Sequence, residues 1–205
     1  MKIICIGRNY LDHATELGNP VPSEPMFFLK PDSSVLHKRH AFYIPDWTKE
    51  VHYEVELVVK ILKLGKAIQT RYASRYYAEV GLGIDFTARD VQRKLKAAGH
   101  PWEKAKSFDG SAVVSEEFIS LDRLGKSIQN LKFDLSINGT KVQAGSTSDM
   151  IFKVDDLISY VSQFMTLKTG DLIFTGTPSG VGPVKSGDKI TGNLEGFQVL
   201  NVNVK

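Results

Sequence analysis

Three carboxylates carry the pattern with the most chemical content: Glu54 and Glu56 in HYEVELVVKI, and Asp85 in GLGIDFTARD. The first segment is rich in valine and reads as a β-strand. Alternate side chains of a strand share a face, so Glu54 and Glu56 point one way, and Tyr53, Val55 and Leu57 the other. Two carboxylates side by side repel each other and are costly to bury. A divalent cation makes that arrangement favourable. Asp85, about 30 residues further along at the end of an apolar run, could supply a third oxygen. An all-carboxylate set suits Mg²⁺ or Mn²⁺ better than zinc, and Ca²⁺ could take the same ligands. The bland alternative is a strand edge facing water, with Asp85 capping the helix after it.

Other candidates surround these three. His13 and Glu16 lie three apart and would share a helix face. Glu16 could hold the imidazole tautomer while His13 deprotonates water, or the two could form a plain surface pair. Arg8 could pair with a substrate carboxylate, and its neighbour Asn9 could shape the turn through backbone hydrogen bonds. Arg89 and Gln92 could face substrate from one helix, or simply cap and solvate it. Lys30 in FFLKP is a similar candidate. In the TGTP turn, backbone N–H groups and the Thr177 hydroxyl could bind a carboxylate. Lys106, in a polar loop with Trp102, reads on its own as a solvent lysine. No combination of Cys5 with the histidines makes a zinc set.

The elements that would position these residues are short. Strands are predicted over residues 2–6, 26–29, 41–44, 51–61, 80–86, 112–114, 131–137, 171–175, 189–194 and 197–204. Helices are predicted over 10–17 (stopped by Gly18-Asn19-Pro20), 70–79, 87–98 (stopped by Gly99-His100-Pro101) and 149–163. Asn138-Gly139 predicts a type I′ hairpin turn. Many short strands with few helices predict an α+β fold. No Rossmann fingerprint is present, and no P-loop Lys-Ser/Thr pair follows Gly176, Gly180 and Gly182.

The 205 residues suit one domain spanning 1–205, and 42% apolar content suffices for a core. The net charge of +3 is small and scattered, part of it in Arg93, Lys94, Lys96, Lys104 and Lys106. That cluster could steer a small anion. No zinc knuckle, recognition helix or aromatic–basic interleaving supports nucleic-acid binding. No apolar run is long enough to span a membrane. One cysteine excludes an intrachain disulfide, and MKIICIGRNY breaks after four apolar residues, unlike a signal peptide. A cytoplasmic enzyme is the expectation.

The segments IGRNYLDHATELG, FFLKP, HYEVEL, GIDFTARDVQ, AKSFDG, NGTKVQAGSTSDMIF and GDLIFTGTPSGVGPV occur in that order across the chain. Together they resemble the fumarylacetoacetate hydrolase family. The resemblance implies mixed, rolled β-sheets (a sandwich-like roll of the fumarylacetoacetase C-terminal-domain type) and a homodimer. It implies Mg²⁺ or Mn²⁺ on Glu54, Glu56 and Asp85, and an active-site lysine at Lys106. It also implies a His13–Glu16 dyad on a lid segment, with substrate contacts sought among Arg8, Asn9, Lys30, Arg89, Gln92 and Thr177. The implied substrates are small anionic 2-oxo acids. The leading activity is C–C hydrolysis of acylpyruvates or decarboxylation of oxaloacetate, through a pyruvate enolate. A second activity is that of a 2-hydroxyhepta-2,4-diene-1,7-dioate isomerase or decarboxylase. A non-catalytic protein binding small anions is the alternative of another class.

Overall fold

The computed structural model describes residues 1–16 and 21–205. Among these, the strands form three sheets. The largest has the order Met26–Lys30, Ile3–Gly7, Leu172–Phe174, Val55–Lys60, Glu79–Asp85 and Ala112–Val114, with Ile119–Ser120 pairing beside the start of Glu79–Asp85. Ile3–Gly7 and Leu172–Phe174 run parallel, while the other pairs in this sheet are antiparallel. A second, antiparallel sheet has the order Thr140–Ser146, Lys132–Ile137, Lys189–Leu194 and Phe197–Asn203. A small third sheet joins Gly182–Pro183, Val51–Tyr53 and Thr87–Ala88.

The central strands of the large sheet are covered on both faces, which is why Leu57–Val58–Val59 reads as a continuous apolar run. Leu57, Val59, Leu82 and Ile84 pack into the main core with Leu135, Ile190 and Leu200 of the second sheet. Val58, one residue out of phase, packs on the other face with Ile3, Cys5, Leu172 and Phe174. The helix Val154–Phe164 adds Val154, Leu157, Ile158 and Val161 to the main core, spaced as one helical face. The result is the expected α+β arrangement of mixed sheets packed face to face. Gly83 is needed at the centre, since a Cβ there would lie 2.3 Å from Phe174 Cε1.

Several predicted elements change on folding. The single strand expected over 51–61 is two, Val51–Tyr53 and Val55–Lys60, because the chain leaves the small sheet for the large one at Glu54. No strand forms over 41–44. Arg39 in the left-handed region (φ 66°) and Pro45 bracket it, leaving one bridge from Phe42 to Val204. The helix expected over 70–79 shrinks to Thr70–Ala73 and the 3₁₀ turn Ser74–Tyr76, where the Tyr76 carbonyl turns away to accept the Leu62 N–H (2.8 Å). Thr87–Ala88 pairs as a strand, so the next helix runs Arg89–Ala97, closed by Gly99 at φ 66°. The helix expected over 149–163 is a 3₁₀ turn, Thr147–Asp149, and then Val154–Phe164. Between them the Ile151 N–H donates to the Asn9 carbonyl (2.8 Å). The first helix is Leu11–Glu16, and its expected end at Leu17 and stop at Gly18-Asn19-Pro20 lie outside the described residues. Asn138 (φ 51°) and Gly139 (φ 82°) form the expected hairpin turn.

Candidate active site

The break at Glu54 builds the site. Glu54 lies at the gap between the two strands and Glu56 is the second residue of Val55–Lys60, with Val55 between them donating its N–H to Gln143 Oε1 (3.0 Å). Asp85 closes the neighbouring strand Glu79–Asp85, and its N–H donates to the Glu54 carbonyl (2.9 Å). All three carboxylates are buried and line one cavity. One oxygen from each lies within 4.8 Å of the others. The edge-facing-water alternative is therefore excluded for this strand.

Three cations hold the cluster. Lys106 Nζ sits 2.7 Å from Glu54 Oε2 and 2.7 Å from Asp85 Oδ2, and donates to Thr87 Oγ1 at 2.6 Å. Lys30 Nζ lies 2.8 Å from Asp85 Oδ1, and donates to the Ser111 carbonyl and Oγ (3.0 Å each) and to the Lys106 carbonyl. Arg89 grips Glu54 Oε1 and donates to Gln92 Oε1 at 2.7 Å. Burial alone would raise the Glu54 carboxyl, but Lys106 and Arg89 outweigh it and hold it well below the usual carboxylate range. Glu56 goes the other way. Burial, then the Asp85 and Glu54 charges, push it well above that range, against one hydrogen bond from the Gly176 N–H (2.7 Å). Burial opposes the charge on Lys106, but Asp85 and Glu54 raise its pKa nonetheless.

This donor set fits a hard divalent cation. Its ligands are oxygens, they converge, and Glu56 carries a like-charge strain that a cation would relieve. The cavity is about 40 Å³, with Arg8, His13, Met26, Phe28, Gln92, Trp102 and Thr177 also on its wall. That is far below the roughly 300–1,000 Å³ of drug-sized pockets.

The other expected residues divide. His13 is buried on the cavity wall, with Nδ1 3.1 Å from Glu16 Oε2. Glu16 in turn accepts the Gly180 N–H (3.0 Å), which ties the short helix to the TGTP loop. Arg8, Arg89, Gln92, Lys106 and Thr177 all reach the cavity. Asn9 does not. Its amide donates to the Phe152 (3.0 Å) and Thr175 (2.8 Å) carbonyls and accepts the Phe152 N–H (2.8 Å), so it shapes the turn as a backbone clamp. Lys30 sits behind Asp85 and Lys106, fully buried.

Sequence reasoning missed Gln143 and Thr87. Gln143 sits at a β-bulge after Lys141, and its amide donates to Thr177 Oγ1 (2.9 Å) and the Pro178 carbonyl (2.9 Å). It thereby links the hairpin to both the TGTP loop and Val55. No spacing signals this. Thr87, two residues after Asp85, was in view but carried no chemistry of its own.

The sequence profile of the family described as Fumarylacetoacetate (FAA) hydrolase C-terminal matches residues 2–205. The chain belongs to the fumarylacetoacetate hydrolase family. Among its relatives in this family is "Oxaloacetate tautomerase YcgM" of Escherichia coli (strain K12), 44% identical over 198 residues, covering 97% of this chain and 90% of the relative. Another is "Oxaloacetate decarboxylase, mitochondrial" of Dictyostelium discoideum, 45% identical over 197 residues, covering 96% and 89%. A solved member is the fumarylpyruvate hydrolase from Pseudomonas aeruginosa in complex with Mn²⁺ and pyruvate. It is 35% identical with a TM-score of 0.92, and the match covers 100% of this chain and 89% of that one.

Proposed function

We propose that this protein is a metal-dependent enzyme that generates and protonates the enolate of small 2-oxo acids, with oxaloacetate as the leading substrate. The observation that carries this reading is the convergence of Glu54, Glu56 and Asp85 within 4.8 Å, beside Lys106 and the His13–Glu16 pair. Mg²⁺ or Mn²⁺ would be held by the three carboxylates, and when bound it supplies Lewis-acid polarisation of the 2-oxo group. Relatives named for oxaloacetate chemistry, and a solved relative in complex with Mn²⁺ and pyruvate, support the same class of substrate.

The chain's own residues would do the rest. Arg89 and Gln92 orient the substrate carboxylate, and the Lys106 ammonium stabilises charge developing on the 2-oxo oxygen. With Nδ1–H donating to Glu16, His13 presents Nε2 as the base. In tautomerisation a proton leaves C3, its electron pair moves into the C2–C3 bond, and a proton is gained at the C2 oxygen. In decarboxylation the C3–C4 bond breaks instead, CO₂ leaves, and C3 is then protonated. In acylpyruvate hydrolysis His13 takes a proton from water as the water attacks the C4 carbonyl. The C3–C4 bond then cleaves to an acid and pyruvate. Tautomerisation breaks a C3–H bond, the other two reactions break C3–C4, and all three share the enolate.

The test follows oxaloacetate enol absorbance and pyruvate formation separately, with acetylpyruvate in parallel, in Mg²⁺ or Mn²⁺ and in EDTA. Metal-dependent acceleration of at least one reaction supports the reading. No acceleration of any of them with metal bound overturns it. We also propose a homodimer. An apolar groove of about 1030 Å³, lined by Leu29, Trp47, Val91 and Phe108 among others, offers a face for it. Sedimentation at twice the 22.8 kDa chain mass is the expected result, and sedimentation at 22.8 kDa would refute it.

A further inference from the structure

The hairpin strand Thr140–Ser146 breaks its regular pairing and brings one polar side chain inward. Lys141 pairs with Ser136 and Gln143 with Leu135, so Val142 is an extra residue in the strand. Opposite residues of an antiparallel pair share a face, and Leu135 belongs to the main core. The bulge therefore turns Gln143 to the interior, in the place that Val142 would otherwise take. The loop after Thr177 packs against the bulge, since a Cβ on Gly180 would lie 2.6 Å from the Val142 carbonyl oxygen.

The partners of the Gln143 amide leave it one orientation. A backbone N–H can only donate and a backbone carbonyl can only accept. The Val55 N–H therefore meets Oε1 (3.0 Å), and the Pro178 carbonyl meets Nε2 (2.9 Å). The second hydrogen of Nε2 goes to Thr177 Oγ1 (2.9 Å). A threonine hydroxyl can rotate to donate or accept, but here Gln143 makes Oγ1 the acceptor. Among the described residues the hydroxyl's own hydrogen reaches only the Pro178 carbonyl, at 3.5 Å. That is long for an O–H···O bond, and Gln143 already donates to the same carbonyl. Thr177 is buried on the cavity wall with Glu54, Glu56 and Asp85, so its hydrogen is left for what enters the cavity.

We propose that Gln143 is a positioning residue, which fixes the Thr177 hydroxyl as a donor to a carboxylate oxygen of the substrate. This rests on the reading that the cavity takes a 2-oxo acid. An ionised carboxylate accepts hydrogen bonds and donates none, so it needs the hydroxyl in this sense. A donor aimed in advance costs no reorganisation when the anion arrives. Gln143 also holds the Val55 N–H between Glu54 and Glu56, and a test must separate the two roles.

The experiment is a double-mutant cycle on the Mn²⁺-loaded protein. It compares wild type, Gln143→Met, Thr177→Val and the double variant, with Thr177→Ser as the conservative control. Gln143→Glu, which keeps an acceptor for the Val55 N–H, runs through a parallel cycle. The readouts are kcat and KM for oxaloacetate (or for acetylpyruvate, if that is the acid turned over) and Mn²⁺ affinity by calorimetry. Thr177→Val should raise KM about tenfold or more with kcat little changed, and Thr177→Ser should stay within about twofold of wild type. Each Gln143 variant should raise KM, and that rise should be at least about threefold smaller once Thr177→Val has removed the hydroxyl. Equal rises in both backgrounds overturn the positioning role alone, and so does a loss that follows Mn²⁺ affinity instead of KM. Wild-type protein that turns over neither acid in Mn²⁺ overturns the 2-oxo acid reading, and the positioning role with it.

Discussion

Replacing Lys30 with methionine removes a cation that the fold has sealed in. The Lys30 side chain is 0% exposed, and its Nζ is 2.8 Å from Asp85 Oδ1. That oxygen has no hydrogen-bond partner of its own among the described residues, so the Lys30 charge is what compensates it. The same Nζ bonds the Lys106 carbonyl and both Ser111 oxygens, which fixes the loop carrying Lys106 against the strand carrying Asp85. Methionine keeps most of the volume and removes the charge. Leaving a buried ion without its partner costs about 3–5 kcal/mol. For a domain of this size each kcal/mol is worth roughly 2–4 °C, so the melting temperature should fall by roughly 6–20 °C. Thermal unfolding followed by circular dichroism in EDTA measures the loss free of any metal. Repeating it with Mn²⁺ should recover part of the loss, because the ion supplies charge to the same carboxylates. A fall of less than about 2 °C would refute the reasoning, since that is the range of a surface lysine. Unchanged stability with a raised KM would instead restore Lys30 as a substrate contact.

Other outcomes follow from the same contacts. His13→Ala should slow acylpyruvate hydrolysis by about 100-fold or more, the usual worth of a positioned general base, and decarboxylation far less; equal losses in both assays would make His13 a general substrate or lid residue. Asn9→Ala should cost about 1–3 kcal/mol in denaturant unfolding by stripping partners from buried backbone groups of Phe152 and Thr175, and a raised KM at unchanged stability would contradict the clamp. Gly176→Ala should destabilise the protein by more than about 1 kcal/mol, because φ is 99° and the new Cβ would lie 2.7 Å from Asn9 Cβ; an unchanged midpoint would show that the turn can relax.

The metal cluster was readable because i, i+2 spacing survives folding. Glu54 and Glu56 reach one cavity even though the strand between them is interrupted. The interruption itself was not readable. It depends on Thr87–Ala88 and Gly182–Pro183 pairing with Val51–Tyr53, and those partners are remote in sequence. Local signals worked where the cause is local: Asn138-Gly139 turns the hairpin and Gly99 closes the helix. They did not reach Lys30, whose role is set by what folds against it, whereas Asn9 shapes its turn through backbone hydrogen bonds, one of the two roles its sequence offered. A lysine between Leu29 and Pro31 says nothing of a buried Asp85.

The most direct test of the metal-centred reading is a calorimetric Mn²⁺ titration of wild type and Glu56→Ala, with oxaloacetate conversion measured on the same samples. Glu56 has a backbone N–H but no cation bonded to it among the described residues, so its removal disturbs the ion's site more than the surrounding ion pairs. The expected result is one high-affinity site in wild type, with affinity and metal-dependent turnover lost together in Glu56→Ala. Turnover that persists in Glu56→Ala after the binding site is lost, or in wild type with the metal stripped by EDTA, would contradict it.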